Sequence, residues 1–188
     1  MSDLPEGGTV RPITRWGEPV MHHELKDVEE FDDELHRLVA DMVATMRAAD
    51  GVGLAANQIG ESWKVFVFDC PDDDGVRQAG VVCNPVLELP EGRDRRLDDA
   101  DEGCLSLPGA FVDCARPDFA RVRGVDQHGD PVEYSGTGLL SRCLQHETDH
   151  VYGTVFGDRI GKRARKRLLN EAERNAAYFP PGWPAAEA

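Results

Sequence analysis

The sequence predicts an α+β fold: small antiparallel β-sheets around a central metal-binding helix, with one helix before it and another after. Three observations carry this expectation. Apolar residues over 31–46 recur at steps of three and four. Runs rich in β-branched and aromatic residues at 64–70, 80–89, 119–126 and 132–134 are separated by acidic or glycine-containing turns. Finally, the stretch 137–151 carries two histidines four residues apart, His146 and His150, in a largely apolar helical pattern.

Taken in chain order, residues 1–10 are polar and glycine-rich and read as a flexible tail. Phe31, Leu35, Leu38, Val39, Met42, Val43 and Met46 define an amphipathic helix led by acids and stopped by Gly51. The small residues of 51–60 permit unusual backbone angles and close approach of a ligand to the main chain, so this stretch reads as a loop or strand edge. Segments 64–70 and 80–89 pair as antiparallel strands across the acidic turn at Asp72-Asp73-Asp74-Gly75. The cluster Asp98-Asp99-Ala100-Asp101 reads as a solvated loop. A second hairpin turns at His128-Gly129-Asp130. In the helix over 137–151, Leu139, Leu140, Cys143 and Leu144 join the histidines and leave only a narrow polar face; burial is expected, with Gly153 as its C′ residue. A charged helix over 162–178 follows, and the proline-rich 179–188 reads as a second flexible tail. No repeat or linker divides the chain, so 1–188 is one catalytic domain, long enough to bury a sizeable core.

Composition excludes several classes. A net charge of −14 with pI near 4.8 makes the molecule as a whole a poor binder of DNA. No apolar run approaches membrane-spanning length, and the start lacks the basic and apolar regions of a secretory signal, so the expected compartment is the bacterial cytoplasm. Five cysteines, at 70, 83, 104, 114 and 143 with no CxxC pair, do not describe a disulfide framework. Against the overall acidity, Arg159, Lys162, Arg163, Arg165, Lys166 and Arg167 form a basic segment, read as a solvated helix face or a contact for ribosomal RNA.

His146-Glu147-Thr148-Asp149-His150 is an HExxH pattern. On a helix the two imidazoles reach one point, while Glu147, one step round, lies within reach of water on the metal. A hydrolytic metal takes a third protein donor and keeps one position open. The metzincin spacing would place that donor at Phe156, which cannot bind metal. A thermolysin-like arrangement would use Glu171 or Glu173; a cysteine arrangement would use Cys104, between a polar loop and Pro108.

Three ordered segments resolve the choice by resemblance: Gly51-Val52-Gly53-Leu54-Ala55-Ala56-Asn57-Gln58, Glu102-Gly103-Cys104-Leu105-Ser106 and Gln145-His146-Glu147-Thr148-Asp149-His150 are similar to the motifs of peptide deformylase. The resemblance runs from about Arg11 past Asp158. It implies a metal-dependent hydrolase that removes the N-formyl group from the initiator methionine of nascent proteins and releases formate. Cys104, His146 and His150 would be the metal ligands, with Fe(II) expected and Zn, Ni or Co as substitutes; ligand type alone favours zinc. Glu147 would move protons between the attacking water and the departing amine, and the Gln58 amide with the Leu105 backbone N–H would face the developing oxyanion.

Val52, Leu139 and Cys143 are candidates for the wall of a methionine pocket, equally readable as plain core. Gly53 and Gly103 are candidates for hydrogen bonding to the substrate backbone, and Gly53 is counted among the catalytic residues as well. Gln145 and Asp149 flank the ligands and could orient the imidazoles, or equally form hydrogen bonds on the helix surface. Two residues depart from the family pattern: Val151, where leucine is common, and Phe111, where many relatives carry a polar or basic residue. The rival readings are a thermolysin-like zinc peptidase and a ribosome-associated, non-catalytic metal-binding protein.

Overall fold

The computed structural model describes residues 4–185. Its main elements are helix α1 (Asp33–Ala48), strands β1 (Gly53–Ala55), β2 (Val65–Pro71), β3 (Arg77–Glu88), β4 (Leu97–Cys104), β5 (Leu107–Pro117), β6 (Phe119–Val125) and β7 (Pro131–Thr137), and helices α2 (Gly138–Val151) and α3 (Lys162–Asn175). Strands β1-β2-β3-β6-β7 form one sheet in that order, and β4 and β5 form a second; all named pairings are antiparallel.

Helix α1 begins where its sequence allows. The Asp32 carboxylate accepts from the backbone N–H groups of Glu34 (3.0 Å) and Leu35 (3.1 Å), satisfying two donors that a first turn leaves free. Leu35, Val39, Met42, Val43 and Met46 are its buried stripe. The uninterrupted apolar run of β2 has a matching explanation in that both faces of the large sheet are covered. Val65 and Val67 join the core under α1, whereas the alternate residues Phe66 and Phe68 join a second core with Leu140, Cys143 and Leu144 of α2. A third core gathers Ala110, Val112 and Cys114 of β5 with Trp16, Phe156 and Leu168. Helix α2 thereby lies between the large sheet and β5, and every residue from Leu140 to Val151 is buried.

One expectation fails here. The acidic stretch 98–101 is strand, not loop: β4 pairs residue for residue with β5 from Leu97↔Pro117 to Glu102↔Val112. In the segments read as tails, some of the described residues make contacts with the rest of the chain. Leu4 is buried in the first core, Thr9 N–H donates to Asp41 Oδ1 (2.7 Å), and Ile13 N–H donates to the Trp183 carbonyl (2.9 Å). The last helix ends at Asn175 and continues as a single 3-10 turn, Ala176–Tyr178. No helix among the described residues is long and apolar enough to cross a membrane.

Candidate metal centre

Two elements supply the donors. Cys104 ends β4, where the pairing shifts because residues 108–110 of β5 bulge out of register, and His146 and His150 stack on one face of α2. His146 Nε2 lies 3.1 Å from His150 Nε2, which lies 3.3 Å from Cys104 Sγ. The donor atoms of all three residues fall within 4.8 Å of one another, and all three residues are buried. A tetrahedral cation with nitrogen at about 2.0–2.1 Å and sulfur at about 2.3 Å would separate its ligands by roughly 3.3 to 3.6 Å, close to what is seen. Burial and then His146 push the His150 pKa down, which favours the neutral imidazole that binds metal. The donor set therefore fits one divalent ion. Glu171 and Glu173 are on α3, which packs against β5, and neither joins this group.

The group orienting His146 is Glu102, whose Oε1 stands 2.7 Å from His146 Nδ1. The Arg116 guanidinium donates to both carboxylate oxygens of Glu102 (2.8 and 2.7 Å), and Arg142 Nη1 donates to Oε2 (2.8 Å). Burial alone would raise the Glu102 pKa, but the bonds from Arg116 and His146 outweigh it and hold the carboxyl well below its usual range. Asp149 accepts from Arg116 Nη1 (2.9 Å) and from Arg159, so it reaches the ligand only through Arg116 and Glu102. Gln145 corrects the expectation made for it. Its amide donates to the Pro117 carbonyl (2.9 Å) and to Ser141, and is bonded to neither imidazole. Sequence reasoning had Glu102 inside a motif yet gave it no role; the signal was its place two residues before Cys104, the same side of a strand.

Glu147 is buried beside the donors, and its Oε2 has no hydrogen-bond partner among the described residues. Burial pushes its pKa up to about 7, and a divalent cation alongside would pull it back down. Gln58, on the 3-10 turn Ala56–Ile59, accepts the Ala55 N–H at Oε1 (2.9 Å). That bond turns its NH₂ toward Cys104 Sγ (3.7 Å) and Ser106 Oγ (3.3 Å). Asn57, unassigned from sequence, donates to the His150 carbonyl (2.8 Å) and ties this turn to the end of α2.

A cavity of about 400 Å³ opens onto these groups and brings together Val52, Gly53, Gln58, Gly103, Cys104, Leu105, Leu139, Cys143, His146 and Glu147. Cys143 Sγ donates to the Val52 carbonyl (3.5 Å), and Phe111, 55% exposed, lies over Gly103 at the same cavity. At Gly53 a Cβ would stand 2.5 Å from Glu147 Oε1 and 2.8 Å from Cys143 Sγ. Gly53→Ala is therefore expected to displace Glu147 and lower hydrolytic turnover by about 10²-fold, the usual cost of an ångström-scale misplacement, with the circular dichroism spectrum kept. A rate near wild type would show that the carboxylate tolerates the crowding.

One metal ion held by three protein donors, with an acid/base carboxylate at its side, is the working arrangement of mononuclear metal-dependent hydrolases, and fold and site together define that class. Residues 10–166 match the family model described as Polypeptide deformylase. Peptide deformylase 1 of Streptomyces avermitilis is 57% identical over 176 residues, covering 93% of this chain and 81% of that protein. Peptide deformylase 2 of Corynebacterium efficiens is 45% identical over 177 residues, covering 93% and 91%. Among solved structures, a peptide deformylase from Legionella pneumophila superposes with a TM-score of 0.76 at 36% identity, covering 92% of this chain and 100% of that one. The Ehrlichia chaffeensis enzyme in complex with actinonin gives 0.80 at 31% identity, covering 89% and 98%. The chain belongs to the polypeptide deformylase family, metal-dependent hydrolases that remove the N-formyl group from nascent peptides.

Proposed function

We propose that Cys104, His146 and His150 hold the catalytic ion and that Glu147, Gln58 and Leu105 carry out deformylation around it. The observation carrying this reading is the convergence of the three donors beside the unpartnered Oε2 of Glu147. The cation, when bound, would supply Lewis-acid polarisation and make the attacking water more acidic. Glu147 then takes the proton of the attacking water and returns it to the departing amine. The Gln58 NH₂ and the Leu105 N–H stabilise the charge that develops on the formyl oxygen. Fe(II) is the proposed native metal, with zinc, nickel and cobalt as substitutes that the same donors accept.

Val52, Leu139 and Cys143 receive the methionine side chain, and Leu139 and Val52 are open enough to meet it, at 43% and 38% exposure. Gly53 belongs to β1, at one end of the five-stranded sheet, and Gly103 to β4, in a two-stranded sheet. Among the described residues each strand has one edge without a partner strand, so an extended substrate adds between them and bonds to both glycines. The exposed Lys162, Arg163, Lys166 and Arg167 make transient ribosome contact in the bacterial cytoplasm, whereas Arg159 is tied to Asp149 and Arg165 to Asp158.

The direct test is formate release from a formyl-Met peptide by anaerobically purified protein together with its metal content. Cys104→Ser should lose most of the bound metal, because a neutral hydroxyl replaces the thiolate. Metal retained at wild-type stoichiometry would remove Cys104 from the ligand set.

A further inference from the structure

Phe179 and Trp183 line the same cavity as Cys104, His146 and Glu147, although both come from the chain after α3. We propose that this C-terminal strap determines specificity. Its two aromatic rings form an apolar wall for side chains of the residues that follow formyl-methionine, favouring apolar and aromatic ones. The inference rests on the deformylase reading of the site.

The strap is fixed rather than draped. Asn175 Nδ2 donates to the Gly109 carbonyl (2.6 Å), and Arg15 Nη2 donates to the carbonyls of Phe179 (2.7 Å) and Pro180 (3.3 Å). Ile13 N–H donates to the Trp183 carbonyl (2.9 Å), and Trp183 N–H donates to the Pro180 carbonyl (3.1 Å). Pro180, Pro181 and Pro184 further limit the backbone freedom of this segment. The two rings meet edge to face at 5.1 Å and 84°, and the Arg15 guanidinium stands 5.9 Å from the Trp183 ring centre. Gly109 has φ +75°, and a Cβ there would lie 2.6 Å from the Phe179 ring, so the start of β5 leaves room for that ring.

Position separates this wall from the methionine pocket. Cys143 bonds to Val52, and Gly53 crowds Glu147, so that end of the cavity lies along α2 and β1. Phe179 lies over Gly109, beyond the turn that follows Cys104. With the formyl carbon at the metal and methionine at the first apolar surface, an extended peptide carries its next side chains toward the second. Rigid rings already in place offer apolar area at little ordering cost.

The test compares kcat/KM for formyl-Met-Phe-Phe and formyl-Met-Gly-Gly in the full chain. Phe179→Ala and Trp183→Ala should each lower the ratio of the two by roughly tenfold, the scale of losing part of an apolar subsite. An unchanged ratio in folded variants, including equal losses on both peptides, overturns the proposal. If thermal unfolding shows that the alanine variants do not fold, Phe179→Leu and Trp183→Phe take their place with an expected fall of about threefold. An unchanged ratio in these is equally decisive against it. Wild-type protein that releases formate from neither peptide would instead overturn the reading of the site itself, and this inference with it.

Discussion

Glu147→Ala is expected to retain its metal and its fold while formate release falls by roughly 10² to 10⁴-fold, the range that a positioned general base supplies. The residue is buried on α2 between His146 and His150 in sequence, and its Oε2 has no partner among the described residues. Its removal therefore breaks no hydrogen bond at that oxygen and takes away the carboxyl that can move a proton. Metal content measured beside the rate separates this from collapse of the centre. A variant releasing formate within about tenfold of wild type would assign proton transfer elsewhere.

Arg116→Leu should cost about 3–5 kcal/mol of stability, the scale for removing one partner of a buried ion pair. Arg116 and both of its partners, Glu102 and Asp149, are buried, with side-chain exposures of 4%, 3% and 7%. A leucine would leave two carboxylates with fewer compensating donors in a low-dielectric setting. Arg142 still holds Glu102 and Arg159 still holds Asp149, which places the expected loss toward the lower end of that range. The urea midpoint of the metal-free protein reads the effect without contribution from ion binding. A loss below about 1 kcal/mol would mean that the remaining arginines suffice.

Most of the architecture was legible because most of it is periodic. The α1 stripe, the β2–β3 and β6–β7 hairpins and the buried α2 follow from spacing that the structure reproduces. What escaped was the second sheet, β4 with its partner β5, and the reason is plainest in β4. Its first half exposes charge, as a strand of a two-stranded sheet with open solvent can, and only its pairing with β5 makes it extended. Cooperation between distant positions was equally hidden. In β5, Ala110, Val112, Cys114 and Arg116 alternate onto one buried face, so an arginine ends an apolar series, and nothing local says that Glu102 and Asp149 wait for it. Gln145 sits beside His146 in sequence yet points elsewhere, whereas Glu102, forty-odd positions earlier, meets the ring. Sequence neighbours on a helix diverge by about 100° per residue, so adjacency to a ligand is weak evidence for contact with it. The family resemblance supplied Cys104, and local reading had left that choice open.

The donors come from parts of the chain that pack as separate units, Cys104 from the β4–β5 pair and the histidines from α2 against the large sheet. An ion bound to all three would thus be a cross-link as well as a catalyst, closing a loop of some forty residues between Cys104 and His146. Its presence should favour the assembled state by mass action, in proportion to the logarithm of its concentration over its dissociation constant. Chelation should therefore lower the stability of the docked hairpin without releasing it, because Arg116 of β5 still reaches Asp149 and Arg142 of α2 still reaches Glu102: the ion would be one clasp among several.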